Sequence, residues 1–246
     1  MNTPARFTRY SPPGKPHITI HAEYEQGSEQ WLQARCGLLC ASEMKLVLTE
    51  KTLKIASNQN ERAHLYELLA QRITNYVEPR YISDDMLRGH EDEVRARLKY
   101  EEKTGQKVDT CGFITNDRWG FTLGYSPDGL VNDDGGIEAK SRRQKFQVQT
   151  IIENLGDDRG ETIPGEFVMQ CQTGLLVSER QWIDFLSYSG GMPMAIIRVY
   201  PNDAVQNAIV EAAGEFERRL SQKLEIYRAA SADLPMTERV IEQEMY

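Results

Sequence analysis

The sequence predicts an α/β protein in which a single domain has a mixed central β-sheet flanked by helices. Helical periodicity covers most of the first hundred residues. Short β-rich segments bounded by turn residues follow, and a long amphipathic segment begins at Asp203. We find no internal repeat and no linker between these regions, so one domain is the simplest arrangement.

Three helices are predicted before residue 80. Ser28 can cap a short helix that ends at Gly37, because a Ser hydroxyl accepts a backbone N–H and glycine readily ends a helix. Ser42 can cap a second short helix in the same way. Residues 61–76 form the third, because their leucines recur on one face.

The fourth predicted helix covers residues 83–103. Its inward face is expected to carry Met86, Val94 and Leu98, which are apolar residues at roughly helical spacing. Its charged residues are expected to face mostly outward.

The rest of the chain is predicted to supply the sheet and its covering helices. Strands are expected at residues 107–115, 119–124, 137–141, 181–188 and 195–200. Tight turns are expected at residues 133–136 and 190–191. Helices are expected at residues 144–154, from Pro164 to about residue 177, and at 203–229, with a polar loop at 156–160.

The domain is expected to span residues 23–229, with a terminal segment on each side. Residues 1–22 combine basic residues with prolines and suggest a flexible basic arm, either a disordered tail or a DNA-contacting segment. Residues 230–246 form an acidic tail that could end in a last short helix.

Length and composition are those of a globular domain: 246 residues, 40% hydrophobic and 27% charged. No apolar run approaches the ~18 residues of a membrane span, and the N-terminus shows no signal peptide. We therefore expect a cytoplasmic protein that does not associate with a membrane. The net charge of −8 means that any DNA contact must be local.

The residues with the clearest chemical pattern lie between positions 126 and 140. Asp128 follows a predicted strand, and Glu138 and Lys140 are two apart on another strand, so their side chains share a face. The turn at 133–136 would bring that face beside Asp128. Either motif alone would suggest only a surface ion pair, but together they predict two carboxylates and one ammonium in one place.

This set of groups suits phosphodiester hydrolysis. Carboxylate oxygens are ligands that Mg²⁺ prefers, and a bound Mg²⁺ polarises a phosphate and activates water. A neighbouring lysine can position that water and offset the developing negative charge.

Several motifs resemble a known family. Pro127–Asp128 followed by Glu138–Ala139–Lys140 matches the PD-(D/E)XK nuclease signature. The order of the other motifs resembles the lambda exonuclease (YqaJ-like) branch of viral recombination nucleases. Those motifs are W-L-Q-A-R-C-G-L-L-C-A-S-E at residues 31–43, R-G-H-E-D-E at 88–93, S-P-D-G at 126–129 and Q-C-Q at 170–172.

The resemblance implies a PD-(D/E)XK restriction-endonuclease-like fold and assigns roles to the catalytic residues. Asp128, Glu138 and the backbone carbonyl of Ala139 would hold Mg²⁺, with two ions per site and Mn²⁺ as a substitute. Lys140 would handle the water. Glu93 would help hold a metal, directly or through water. If the fourth helix is rotated by one position, Asp92 or His90 would point inward instead.

The resemblance also implies contacts with DNA. Arg35, Ser42 and Ser126 would form a pocket for a terminal 5′-phosphate, which agrees with the bidentate grip of an arginine fork. Gln170 and Gln172 would line the site or simply belong to a helix face. The family's later phosphate-binding arginine is not fixed by the sequence, and the candidates are Arg142, Arg143 and Lys145.

Members of the family digest one strand of duplex DNA from its 5′ end and leave a 3′ overhang for recombination. The resemblance therefore implies a phage or prophage origin in a bacterial host. It also implies a ring-shaped homotrimer and a single-strand annealing protein as partner. Thr173, where the family usually has an aromatic residue, departs from the pattern.

Two alternatives remain open at this stage. One is another PD-(D/E)XK endonuclease, restriction-type or Cas4-like, although the four cysteines form no CxxC pair and no evident iron–sulfur set. The other is a non-catalytic DNA-binding module, against which the complete Asp–Glu–Lys set argues.

Overall fold

The structure is a computed structural model that describes residues 12, 14–79, 84–155 and 162–239, with only the backbone for 84–86. Its helices are α1 (Glu29–Arg35), α2 (Met44–Val47), α3 (Gln59–Thr74), α4 (Asp84–Thr104), α5 (Gln144–Thr150), α6 (Val168–Ser178) and α7 (Asp203–Ser231). Its strands are β1 (Ile18–His21), β2 (Leu39–Cys40), β3 (Val108–Asp109), β4 (Phe113–Asn116), β5 (Leu123–Tyr125), β6 (Gly129–Val131), β7 (Gly135–Ser141), β8 (Trp182–Tyr188) and β9 (Ala195–Val199). Short 3-10 helices, Ala41–Glu43 and Gly165–Phe167, precede α2 and α6, and a π-helical turn, Ile151–Leu155, follows α5.

The predicted α/β class is confirmed, but the strands form two mixed sheets rather than one. The first sheet has the order β1-β4-β5-β2, with β2 parallel to β5 and the other pairs antiparallel. The second has the order β3-β6-β7-β8-β9, with only β7 and β8 parallel. The central pair, β7 and β8, runs in register over seven residues from Gly135↔Trp182 to Ser141↔Tyr188.

The main core forms around α6, which contacts strands of both sheets. Most residues of α6 are buried, as expected for a helix covered on several sides. The long helix α7 packs against α3 and α6 and contributes Phe216 and Leu220 to this core. In the described part of the chain, no helix is both long and apolar enough to cross a membrane.

Helix α4 has the predicted length but the wrong predicted face. Val94 is 47% exposed and Leu98 is 58% exposed, whereas Ala96 and Tyr100 are buried against the second sheet. The Tyr100 hydroxyl also donates to Asp184 Oδ2 at 2.7 Å, which fixes the rotation of the helix. The side chain of Met86 lies outside the described residues.

The strand predicted at 107–115 is two strands. β3 pairs with β6 in the second sheet and β4 pairs with β1 and β5 in the first, so the chain changes sheets between them. Gly112 lies at this crossing, where a Cβ would meet the carbonyl oxygen of Tyr24. Of the strand predicted at 119–124, only its end is extended, as β5, because a turn near Gly120 precedes it.

Two further predictions near the N-terminus are wrong. Residues Ile18–His21, expected in the flexible arm, form β1 and place Ile18 and Ile20 in the core. Ser42 does not cap α2; Glu43 Oε2 instead accepts the Cys40 N–H at 3.2 Å. The predicted loop at 156–160 and the last seven residues of the tail lie outside the described residues, and the described residues after Ser231 contain no helix.

Candidate active site

The β6–β7 hairpin brings Asp128 and Glu138 together, as the sequence predicts. Asp128 immediately precedes β6, and Gly129 pairs with Ile137 on β7. Asn132 takes a left-handed conformation, φ 49°, in the connecting turn. The Asp128 Oδ2 accepts the backbone N–H of Ala139 at 2.7 Å, so the aspartate is fixed against the strand that carries Glu138 and Lys140.

Glu138 is fully buried and receives three side-chain donors. Its Oε1 accepts from Lys140 Nζ at 2.6 Å and from Gln170 Nε2, and its Oε2 accepts from the Tyr125 hydroxyl at 3.2 Å. A buried carboxylate is tolerated only when such donors replace water. The network therefore holds Glu138 in one orientation.

The surroundings of Asp128 oppose its ionisation, and those of Lys140 favour its positive charge. Burial raises the pKa of Asp128 well above its ordinary value, the Glu138 charge adds to this effect, and Lys140 opposes it. Burial lowers the pKa of Lys140, but Glu138 and Asp128 outweigh that effect, so its pKa lies above the ordinary value. Lys140 is therefore an ammonium group at neutral pH.

Glu93 on α4 interacts electrostatically with the same group of residues. Burial raises the pKa of Glu93, His90 opposes the rise, and the Glu138 charge adds to it. Its neighbour Asp92 is buried but makes a different contact, since its Oδ2 accepts from the Ser141 hydroxyl at 2.6 Å. Asp92 therefore holds the end of β7. Glu93 is the acidic residue of α4 whose pKa is affected by the charges of Glu138 and Lys140.

The residues of the site fit a divalent cation. Three acidic groups, Asp128, Glu138 and Glu93, interact around the single ammonium of Lys140, and hard oxygen donors are what Mg²⁺ takes. Within the described ranges, no three His, Cys, Asp or Glu side chains lie close enough to hold a metal by themselves. A cation at Asp128 and Glu138 would therefore need a carbonyl oxygen or water in addition, which is usual for Mg²⁺.

A pocket of about 200 Å³ unites the two predicted groups of residues. The three residues predicted to bind a 5′-phosphate line it together with three of the four predicted catalytic residues, whereas Glu93 does not line it. The shared lining is Arg35, Ser42, Ser126, Asp128, Glu138, Lys140 and Gln170. Residues almost a hundred positions apart therefore share one small cavity.

Arg35 is held in place by Ser126 and by two neighbours to which the sequence assigned no role, Trp31 and Glu43. Its guanidinium lies 4.4 Å from the Trp31 ring centroid and donates to Glu43 Oε1 at 3.1 Å and to Ser126 Oγ at 3.2 Å. The Trp31 indole N–H also donates to Ser126 Oγ at 2.9 Å. Trp31 and Glu43 belong to the family motif at residues 31–43, so that motif could have indicated that they support Arg35. Tyr125, which binds Glu138, had no such signal.

The two glutamines of α6 have different surroundings. Gln170 lines the pocket and donates to Glu138. Gln172 is buried elsewhere: its Nε2 donates to the Tyr200 carbonyl at 2.8 Å, and its Oε1 accepts the Asn202 N–H at 2.9 Å. The expectation that Gln172 lines the site is therefore wrong, because residues two apart on a helix point about 200° apart.

The three basic candidates after Lys140 lie outside the small pocket. Arg142 and Arg143 line a separate groove beside α4. Lys145 is exposed on α5, with its Nζ 4.7 Å from the Phe146 ring centroid. All four cysteines are free.

The fold and the comparisons with known proteins define the class of the chain: it has the PD-(D/E)XK-like fold of nucleases. Residues 30–181 match the family described as the YqaJ-like viral recombinase domain, and the chain belongs to this family. The family consists of metal-dependent nucleases.

Solved structures and one curated protein resemble the chain. An alkaline exonuclease from Laribacter hongkongensis, LHK-Exo, is 30% identical, with 85% of this chain and 100% of that chain covered and a TM-score of 0.71. Its complex with dAMP gives a TM-score of 0.72 with the same identity and coverage. A phage related exonuclease from Haemophilus somnus, 12% identical with 76% and 96% coverage, has a TM-score of 0.50 and supports the fold alone.

The curated relative is an uncharacterized protein of Acanthamoeba polyphaga mimivirus. It is 26% identical over 173 residues, which is 67% of this chain. The matched segment spans 29% of the mimivirus protein's length, so the relative is a much longer chain.

Proposed function

We propose that the protein is a Mg²⁺-dependent 5′-to-3′ exonuclease that degrades one strand of duplex DNA from a 5′-phosphorylated end. The product would be a 3′ single-stranded overhang suited to recombination by strand annealing. The observation that carries this proposal is the single pocket shared by Arg35, Ser126 and the Asp128–Glu138–Lys140 set. End recognition and chemistry within one 200 Å³ cavity favour cleavage close to a terminus.

Asp128, Glu138 and the Ala139 carbonyl would hold the metal, with Glu93 assisting. When bound, the metal polarises the scissile phosphate and stabilises the leaving oxygen. Lys140 donates to Glu138 in the structure and carries a positive charge that can orient the attacking water and offset charge on the phosphate. Gln170 fixes the other side of Glu138 Oε1.

Arg35, Ser42 and Ser126 would bind the terminal 5′-phosphate. The Trp31 ring and Glu43 hold the Arg35 guanidinium, so little side-chain entropy remains to be lost on binding. Arg35 and the two hydroxyls offer charged and neutral donors to phosphate oxygens. This arrangement would select phosphorylated ends over hydroxyl ends.

The proposal includes an assembly and a partner. A ring-shaped homotrimer would hold DNA by topology, which suits a chain of net charge −8. A single-strand annealing protein would receive the overhang. Both features rest on the family resemblance rather than on a contact within the chain.

The direct test of the proposed activity compares linear duplex DNA with the same sequence as a closed circle. In Mg²⁺ we expect nucleotide release from the linear form alone, loss of activity with a chelator, and recovery with Mg²⁺ or Mn²⁺. Cleavage of the closed circle would instead identify a restriction-type endonuclease. Failure to cut either form in any divalent metal would identify a non-catalytic DNA-binding module.

A further inference from the structure

A second, more open groove lies where β7 ends and α5 begins, and we call it the arginine groove. It has a volume of about 590 Å³, and its charged lining residues are Arg88, Asp92, Arg95, Arg142 and Arg143. Among the described residues that line it, four are arginines and one is acidic. This balance stands out in a protein whose net charge is −8.

Arg142 is unusually buried for a charged side chain on a groove wall. It is 9% exposed, with its guanidinium between the rings of Phe146 and Phe167 at 5.2 and 5.0 Å. Its terminal nitrogen donates to Glu166 at 2.6 Å, but its buried Nε has no hydrogen-bond partner among the described residues. The carboxylate that Arg142 contacts among the described residues, Glu166, is 56% exposed, so an anionic phosphate can compete with it for the guanidinium.

The opposite wall of the groove belongs to α4. Arg88 Nε donates to Ser141 Oγ at 3.4 Å, and Arg95 pairs with Asp92 and Glu91 at 3.4 and 3.2 Å. Arg95 is 58% exposed, so its ion pairs are weak enough for a phosphate to replace them. The two walls therefore present arginines to the same space.

The arginine groove adjoins the catalytic lysine. Lys140 Nζ lies 5.9 Å from the centroid of the Phe167 ring, and the Arg142 guanidinium lies 5.0 Å from the same ring. The 200 Å³ cavity lined by Arg35, which we call the Arg35 pocket, is separate from the arginine groove, and the two share no lining residue. Lys140, which lines the Arg35 pocket, thus lies close to Arg142 of the arginine groove.

We propose that the arginine groove binds successive phosphates of the digested strand on the 3′ side of the cleaved bond. The proposal rests on the proposed function, because it takes the Arg35 pocket as the seat of the 5′ end. Arg88 and Arg95 then join Arg142 and Arg143 as DNA-binding residues. The groove guides the strand into the site and sets its direction.

The first test measures the salt dependence of duplex binding in a chelator, so that no cleavage occurs. We compare the wild type with the double variant Arg88→Ala/Arg95→Ala and with Arg228→Ala, an exposed, paired arginine far along α7. Each lost phosphate contact lowers the slope of log affinity against log salt by about 0.9. We expect the double variant to lose about 1.8 in slope and Arg228→Ala to lose nothing.

Raising the salt from 50 to 200 mM should weaken binding in both proteins, but the fold-loss of affinity should be about ten times smaller for the double variant than for the wild type. Alanine favours the helix at both positions, so α4 should remain folded. Circular dichroism checks this point. An unchanged slope in a folded double variant would overturn the proposal.

The second test locates the phosphates. Neutral methylphosphonate linkages replace single phosphates at the first four linkages 3′ of the cleaved bond. We expect them to weaken binding by the wild type and by Arg228→Ala but to cost the double variant much less. Equal losses in all three proteins would overturn the proposal.

A free nucleotide could bring the same phosphate chemistry to the groove. If deoxynucleoside monophosphate bound the groove in place of the strand, the double variant would lose product inhibition but keep wild-type duplex binding. That result would also overturn the proposal. Neither binding test requires turnover, so a failure of the exonuclease activity itself is recognised separately.

Discussion

Glu138 is the residue on which the site is organised. One of its oxygens accepts from Lys140 and Gln170, and the other accepts from Tyr125. These donors lock the carboxylate before any substrate arrives, which is the kind of preorganisation that electrostatic catalysis requires. Small changes among its partners should therefore alter turnover more than binding.

Lys140→Ala should lower kcat by about 10²–10³ while leaving duplex affinity nearly unchanged, because the ammonium acts chiefly in the transition state. Single-turnover kinetics and equilibrium binding measure the two effects. Lys99→Ala, an exposed substitution on α4, is the matched control. Equal losses of binding and turnover in Lys140→Ala would contradict the assigned role.

The raised pKa of Asp128 predicts how stability changes with pH. An acid whose folded pKa exceeds its unfolded value binds more protons when folded, so stability falls as the pH rises from the unfolded pKa through the folded one. Asp128→Asn removes this effect but keeps an oxygen for the Ala139 N–H. In the metal-free protein, the Tm advantage of Asp128→Asn over wild type should grow with pH.

Thermal melts from pH 5 to 9 with a chelator measure this difference, and adding Mg²⁺ should reverse it by stabilising only the wild type. A Tm difference that stays constant across this range would contradict the electrostatic account of Asp128.

At the scale of elements, α6 carries two glutamines with different roles: Gln170 contacts the candidate active site, and Gln172 contacts the backbone elsewhere. Gln170 faces the pocket, whereas Gln172 joins the end of β9 to the start of α7 through Tyr200 and Asn202. The two side chains share a motif but not a face.

Gln172→Ala should therefore lower the free energy of unfolding by about 1–3 kcal/mol, since it removes two hydrogen bonds between the buried Gln172 side chain and the backbone. Its folded fraction should keep normal turnover. Gln170→Ala should show the reverse pattern, with reduced kcat and near-normal stability. Denaturant titrations measure the free energy of unfolding, and initial rates measure kcat. If the two variants changed both quantities alike, the different roles assigned to Gln170 and Gln172 would be contradicted.

The predictable elements were those that depend on local sequence. The turn before β7 followed from its turn residues, and it places Asp128 beside Glu138 as expected, although β6 was not among the predicted strands. The rotation of α4 did not follow, because its phase depends on the distant contact between Tyr100 and Asp184. The break between β3 and β4 likewise depends on partners in two different sheets.

At the scale of the whole molecule, the acidic charge is compatible with DNA binding because basic residues line two cavities: Arg35 and Lys140 in one, and four arginines in the other. One is the Arg35 pocket and the other is the arginine groove. The proposed ring would add a topological hold that needs no net positive charge.

The proposed homotrimer predicts a mass in solution of three times 28.1 kDa. Light scattering coupled to size exclusion measures it over a range of concentrations. A mass of 28.1 kDa at all concentrations would contradict the ring, although it would leave the active-site proposal standing.

The most direct test of the central claim is the rate of digestion of two linear duplexes that differ only in a 5′-phosphate or 5′-hydroxyl. In Mg²⁺ the wild type should release nucleotides from the 5′ end and prefer the phosphorylated duplex. A charged Arg–phosphate contact worth roughly 1.5–3 kcal/mol implies a preference of about 10- to 100-fold. Arg35→Ala should lose most of it, Arg35→Lys should recover part, and Arg218→Ala should behave as wild type. Equal wild-type rates on both duplexes, or release from the 3′ end, would contradict the account.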